Sequence, residues 1–217
     1  MRILIAGVSL VSMLAAGTAF AQQAPFNEAG VTMGHWHLVS QDVEANKGIF
    51  VAMGGKLVTR GTAVGVWFPG ARVNLNLGEE PPGKGGSVGS VINHVGFIVN
   101  NVEGQVAKWK AAGVPLLPGN NNRLDQAFVV TPDGVRIEIL EDRNQAVPIQ
   151  HEHVHFFVPE AEIPKMQAWY AKTLAASRAP ATTHRSWTSP VVSSGSPGPT
   201  RRRRRPEGAC SITSAST

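Results

Sequence analysis

The chain of 217 residues has a formal charge of +5 and one cysteine, Cys210, which excludes an internal disulfide and leaves no cysteine pair at metal-ligand spacing. The charge is unevenly placed: residues 178–217 hold seven arginines against Glu207, a surplus of six, while residues 1–177 hold 13 Lys+Arg against 14 Asp+Glu. The part expected to fold is therefore close to neutral, and the basic balance does not mark it as a nucleic-acid binder.

Met1-Arg2 is a short basic start, Ile3 to Leu14 is mostly apolar, and Ala15 to Ala21 is rich in small residues. This three-part pattern predicts a secretory signal peptide over 1–21, cleaved after Ala21. Its apolar run is too short for a permanent membrane span. No cysteine follows the cleavage point to carry a lipid. The mature chain is expected to be exported, periplasmic or secreted, with no membrane anchor.

The first unit runs from Gly34 to Leu77. His35 to Ser40 reads as a strand, Asp42 as an N-cap, and Val43 to Met53 as a helix closed by Gly54-Gly55. Lys56 to Arg60, Ala63 to Phe68 and Arg72 to Leu77 read as three strands set off by Gly and Pro signals, which makes the unit βαβββ. A Gly- and Pro-rich linker, Gly78 to Gly89, leads to a second unit. It has a strand at His94 to Val99, a helix from Val102 to Ala112, and a last strand, Val135 to Leu140, after the turn Thr131-Pro132-Asp133-Gly134. A third unit supplies the strand His153 to Val158 and the helix Pro164 to Leu174, and then the pattern stops. Residues 178–217 hold eight Ser, six Thr and five Pro with few large apolar residues, so this tail is expected to be disordered. A frameshift that replaced the rest of a longer parent is one origin for such an ending.

The units are copies. His35, His94 and His153 lead their strands at a constant spacing of 59 residues, and Phe50 and Gly54 map onto Trp109 and Gly113 at the same offset. The last strands align at 64 residues, pairing Arg72-Val73-Asn74 with Arg136-Ile137-Glu138.

The segments HVGFIVNNV and TPDGVRIEILED, with the paired βαβββ organisation, resemble the vicinal oxygen chelate superfamily, which includes glyoxalase I, extradiol dioxygenases and bleomycin-resistance proteins. The resemblance covers Gly34 to Ala176 and implies an α+β fold in which paired βαβββ modules form a curved sheet around a cavity. It predicts a two-module domain at 34–142, an incomplete third module at 150–176, and a disordered tail at 177–217. It further implies a metal held by residues of first and last strands. The first-strand position falls on His35 and His94. The last-strand carboxylate position falls on Glu138 in the second unit and on Asn74 in the first, which departs from a four-ligand pattern.

Strand alternation agrees: His94 and Gly96 share one face, Arg136 and Glu138 another, and the opposite faces are apolar and suited to packing under helices. His35, His94 and Glu138 are thus the expected ligands of a divalent metal (Fe, Mn or Zn), since two imidazoles and a carboxylate with open positions suit these ions. His37 and Arg136 are the expected catalytic residues, His37 as a ligand, an acid/base group or a substrate-lining or structural side chain, and Arg136, like Arg72, as a clamp for an anionic substrate or one half of a salt bridge with a neighbouring carboxylate. His151, His153 and His155 line one strand face, with His153 read as a first-strand position awaiting a partner the chain lacks.

Three functional classes follow: an exported metal-dependent enzyme of the glyoxalase or dioxygenase type acting on a small oxygen-bearing molecule, a metal-free small-molecule binding protein of the bleomycin-resistance type, or an inactive truncation product. The expected partner is a small-molecule substrate, with no specific nucleic acid. The unfinished third unit leaves a homodimer open.

Overall fold

The structure, a computed structural model, describes residues 24–78, 86–175, 191–194 and 212–215. The expected signal peptide and the run Arg201 to Arg205 lie outside the described residues. Among the described residues, no helix is long and apolar enough to cross a membrane.

The first module contains β1 (Thr32–Ser40), α1 (Val43–Ala52), β2 (Lys56–Arg60), β3 (Ala63–Phe68) and β4 (Ala71–Leu77). Alternation along β1 puts Trp36 and Leu38 inside and leaves His35 and His37 half-buried on the other face. Asp42 starts α1 by accepting the Ala45 N–H at 2.9 Å, and Gly54, at φ 104°, takes the left-handed conformation that lets the chain leave the helix. β1 and β4 run parallel, and β4, β3 and β2 follow antiparallel. The second module repeats the plan with β5 (Ile92–Val99), α2 (Val102–Ala111), β6 (Leu116–Pro118), β7 (Gln126–Val130) and β8 (Arg136–Glu141), β5 lying parallel to β8. Asn101 caps α2 as Asp42 caps α1. The third unit is β9 (Ile149–Val158) and α3 (Ile163–Leu174). The described part of the tail is two four-residue strands, β10 (Val191–Ser194) and β11 (Ile212–Ala215).

Two sheets result, in the orders β11-β1-β4-β3-β2 and β10-β9-β5-β8-β7-β6. Their apolar faces share one core. Trp36, Phe50, Phe68, Phe97 and Trp109 are fully or almost fully buried, and Phe68 of β3 meets Phe97 of β5 with ring centres 4.8 Å apart. A polar clasp also joins the modules: the buried Asn46 amide donates to Ser40 Oγ (2.7 Å) and to Asp133 Oδ2 (2.6 Å), while Asp133 Oδ1 accepts the Gln41 N–H at 3.0 Å.

The first strands of modules one and two do not pair with each other; the free edge of β5 is taken by β9, antiparallel, and that of β1 by β11. An open strand edge presents unpaired N–H and C=O groups and takes whichever extended segment reaches it. Phe68 and Phe97 mark the core faces, so the faces bearing His35 and His94 lie on the far sides of their two sheets.

Candidate metal centre

The site is built on β5, β8 and β9. Gly96 of β5 lies opposite His153 on β9 and opposite Glu138 on β8, so it forms a floor between an imidazole and a carboxylate. His94 lies opposite His155. Any Cβ at position 96 would stand inside the His153 ring. That strand therefore needs glycine where it passes beneath the site.

Four ligating atoms converge. His94 Nε2 is 3.2 Å and His153 Nε2 3.3 Å from Glu138 Oε2, and His155 Nδ1 is 3.1 Å from His94 Nε2. Ligand atoms of His94, His153 and His155 all lie within 4.8 Å of one another. Bonds of about 2.0–2.2 Å to one ion would separate neighbouring ligand atoms by roughly 2.9–3.5 Å. The observed contacts fall in that range.

The outer atoms of three of these groups are already engaged. His94 Nδ1 donates to Asn93 Oδ1 at 2.9 Å, His153 Nδ1 donates to Glu152 Oε2, and the Gln126 amide donates to Glu138 Oε1. Each partner fixes which atom is left: the lone pairs of His94 Nε2 and His153 Nε2 and the second oxygen of Glu138 face a common point. His153 Nε2 is buried, and the group it faces is Glu138 Oε2 at 3.3 Å. Converging lone pairs repel unless a cation lies between them, so the arrangement calls for a proton or a metal ion.

The titration behaviour follows from this crowding. Burial alone would raise Glu138, but the neighbouring His153 and His94 imidazoles outweigh it and hold the carboxyl well below its ordinary range. Burial would lower His153, but Glu138 and Glu152 overcome it and push the imidazole up to about 9. His155 goes the other way, to about 3, through burial and then the neighbouring His94 and His153. Without a metal, the site holds a proton on His153, while His155 remains a neutral donor. Three imidazoles and one carboxylate fit a divalent transition metal, with Fe(II), Mn(II) and Zn(II) all compatible.

The sequence-derived residues divide between two places. His94 and Glu138 meet as expected, and Arg136 stands on the Glu138 face of β8 with its guanidinium carbon 4.8 Å from the centre of the Phe128 ring. His35 and His37 do not join them. His35 pairs with Arg72 and His37 with Asn74 in the first sheet, and the groups that lie beside His94 and Glu138 are His153 and His155. The physical cause is the edge pairing of β5, which brings in β9 and keeps β1 away.

The expectation that His151, His153 and His155 share one face is also corrected. The register shifts where Gly96 faces His153 and Phe97 faces His151, leaving Glu152 as an extra residue. His151 is turned into the core against the Phe97 ring at 5.4 Å, and burial followed by the charge of His153 lowers it to about 3. Sequence reasoning passed over His153 and His155 as ligands, although the 59-residue repeat places His153 in the same strand position as His94.

No family model matches the sequence, and no curated protein matches it. Solved structures do. Glyoxalase I from Zea mays superimposes with a TM-score of 0.55 at 17% identity, over 68% of this chain and 56% of that one. A point mutant of the same enzyme gives 0.53 at 17% identity over 68% and 57%. The fosfomycin resistance protein FosX from Mesorhizobium loti aligns at a TM-score of 0.40 and 14% identity, over 52% of this chain and 92% of that one. The likeness to the maize enzyme is one of fold: this chain and glyoxalase I share the paired βαβββ architecture. The chain spans a little over half the length of the maize enzyme.

Proposed function

We propose that the chain is an exported protein of the glyoxalase or dioxygenase type that holds a divalent metal through His94, His153 and Glu138, with His155 as a further donor, and acts on a small oxygen-bearing molecule. The observation that carries this reading is that His94 Nε2 and His153 Nε2 both lie within 3.3 Å of Glu138 Oε2 while Asn93, Glu152 and Gln126 hold the outer atoms. Such outer partners fix tautomer and ring orientation at metal sites. A metal bound there would supply Lewis-acid polarisation of a substrate oxygen.

The protein's own groups orient the substrate. Arg136, over the Phe128 ring and on the face of Glu138, supplies a planar pair of donors to a carboxylate or similar anionic group. Phe128 gives that substrate an apolar wall, with its ring 6.4 Å from that of His94. His37 lies on the first sheet, beside Asn74.

A second reading, metal-free binding of a small molecule, draws on the raised His153, since a proton there satisfies Glu138 without any ion. Equilibrium dialysis of the purified chain against Mn(II), Fe(II) and Zn(II), with metal content measured for wild type and His94→Ala, separates the two. One equivalent of metal in the wild type and near none in the variant is expected; equal content in both contradicts the site.

A further inference from the structure

The first sheet carries the same strand plan as the second, but its outer face has the opposite chemistry. Register across the strands sets His35 beside Arg72, Arg72 beside Trp67, and Trp67 beside Lys56; one step along, His37 lies beside Asn74. Arg60, four residues from Lys56 on β2, shares this face by alternation. The other face of the sheet packs into the core through Trp36, Val66, Val73 and Leu75. No aspartate or glutamate occurs anywhere in β1, β2, β3 or β4. Asn74 occupies the repeat position that Glu138 holds in the second module, so the one carboxylate this face would have inherited is replaced by a neutral amide.

Arg72 is the centre of this face. It lies over Trp67 at 5.3 Å, its Nε is buried without a hydrogen-bond partner, and among the described residues it forms no ion pair. Gly65 leaves room for it: a Cβ there would approach Arg72 Cδ to 3.3 Å and Asn74 Oδ1 to 3.4 Å. His37 is held on both ring nitrogens, Nδ1 at 3.3 Å from Asn76 Oδ1 and Nε2 at 3.5 Å from Asn74 Nδ2, which keeps the ring on this face. A buried guanidinium donor with no acceptor among the described residues, set among further cations and amides on strands that carry no acid, is complementary to an oxyanion.

We propose that the outer face of the first sheet is a second binding site, taking the carboxylate or phosphoryl group of a small molecule, with Arg72 as its central donor and Lys56, Arg60, His35, His37 and Asn74 around it. The site is independent of the metal reading, since none of these residues belongs to the second sheet. Its ligand class follows from the loss of the acid: the repeat position that gives one sheet a carboxylate for a cation gives the other a neutral amide beside an anion.

The test uses the full chain, stripped of metal by a chelator and dialysed to low salt, titrated with inorganic phosphate and separately with benzoate by calorimetry and tryptophan fluorescence. Saturable one-to-one binding of at least one probe is expected, and the probe that binds more tightly distinguishes a phosphoryl from a carboxylate ligand. Arg72→Met and Asn74→Asp should each weaken it at least about tenfold, the first by removing a charged donor and the second by restoring a negative charge in nearly the same volume. Replacing Arg201 to Arg205 with serine should leave it unchanged. Circular dichroism checks folding, and Asn74→Asp decides the matter if Arg72→Met does not fold. Binding that survives Asn74→Asp, that disappears with the five-arginine replacement, that occurs only with an oligonucleotide, or that never saturates would overturn the proposal.

Discussion

Gly96 and His153 face each other across β5 and β9, and the imidazole of His153 fills the space that any side chain at position 96 would need. The glycine thus sets the position of a metal-site residue through its missing Cβ. Gly96→Ala is expected to push the His153 ring off Glu138, costing about 1–3 kcal/mol through overpacking and weakening metal binding at least tenfold. Thermal unfolding and a metal titration of the same variant measure the two effects. A variant with wild-type affinity would show that the ring does not need this place.

Glu152 acts on the site through His153. By accepting from Nδ1 it keeps Nε2 free to face Glu138. Glu152→Gln retains the size but can present its amide nitrogen instead, and a roughly 10- to 100-fold loss of metal affinity with little change in folding is expected. Unchanged affinity would make Glu152 a bystander.

The metal-free chain should have a pH dependence of definite sign. His153 is raised from 6.5 to about 9, so its pairing stabilises the fold fully below pH 6.5 and is lost as the pH climbs through 9. Glu138 is lowered from 4.5, so its contribution is present above that value and is lost on acidification through its depressed folded-state pKa. The melting temperature of the apo chain should therefore fall between pH 6.5 and 9, and saturating metal should remove that fall by replacing the proton. Metal binding at pH 7 should release close to one proton, read by calorimetry in buffers of different ionisation enthalpy. No release would mean that His153 is not displaced.

The modules are held by more than apolar contact. Asn46→Ala removes the donor to Asp133 Oδ2 and leaves a carboxylate partly unpaired between α1 and the turn before β8. A loss of about 1–3 kcal/mol of stability is expected, measured by urea unfolding. A loss confined to a few tenths would assign the joint to the Phe68–Phe97 core alone.

Much of the fold could be read from the repeat. The caps Asp42 and Asn101, the glycines Gly54 and Gly113, and the alternation in β1, β5 and β8 each specify local structure through short-range chemistry, and the structure places the elements where that chemistry puts them. His94 and Glu138 were legible as neighbours for the same reason, since β5 and β8 belong to one module and pair parallel within it. What was not legible is which strand covers the outer edge of β5. β1 and β9 both carry a histidine, an intervening residue and another histidine, so alternation cannot choose between them; the choice depends on how the modules pack around Phe68 and Phe97. The shift at Glu152 was hidden as well, because a bulge breaks the period on which the reading of His151, His153 and His155 relied. One signal was available: Asn93 and Glu152 both precede a repeat histidine and both accept from its Nδ1, a pairing that His35, preceded by Gly34, lacks.

The most direct test compares metal content in three single variants dialysed side by side against Zn(II) or Mn(II): His153→Ala, Glu138→Gln and His35→Ala. The first two should lose the metal and the third should retain about one equivalent, because His35 belongs to the other sheet. Loss of metal in His35→Ala with retention in His153→Ala would contradict the site on β5, β8 and β9.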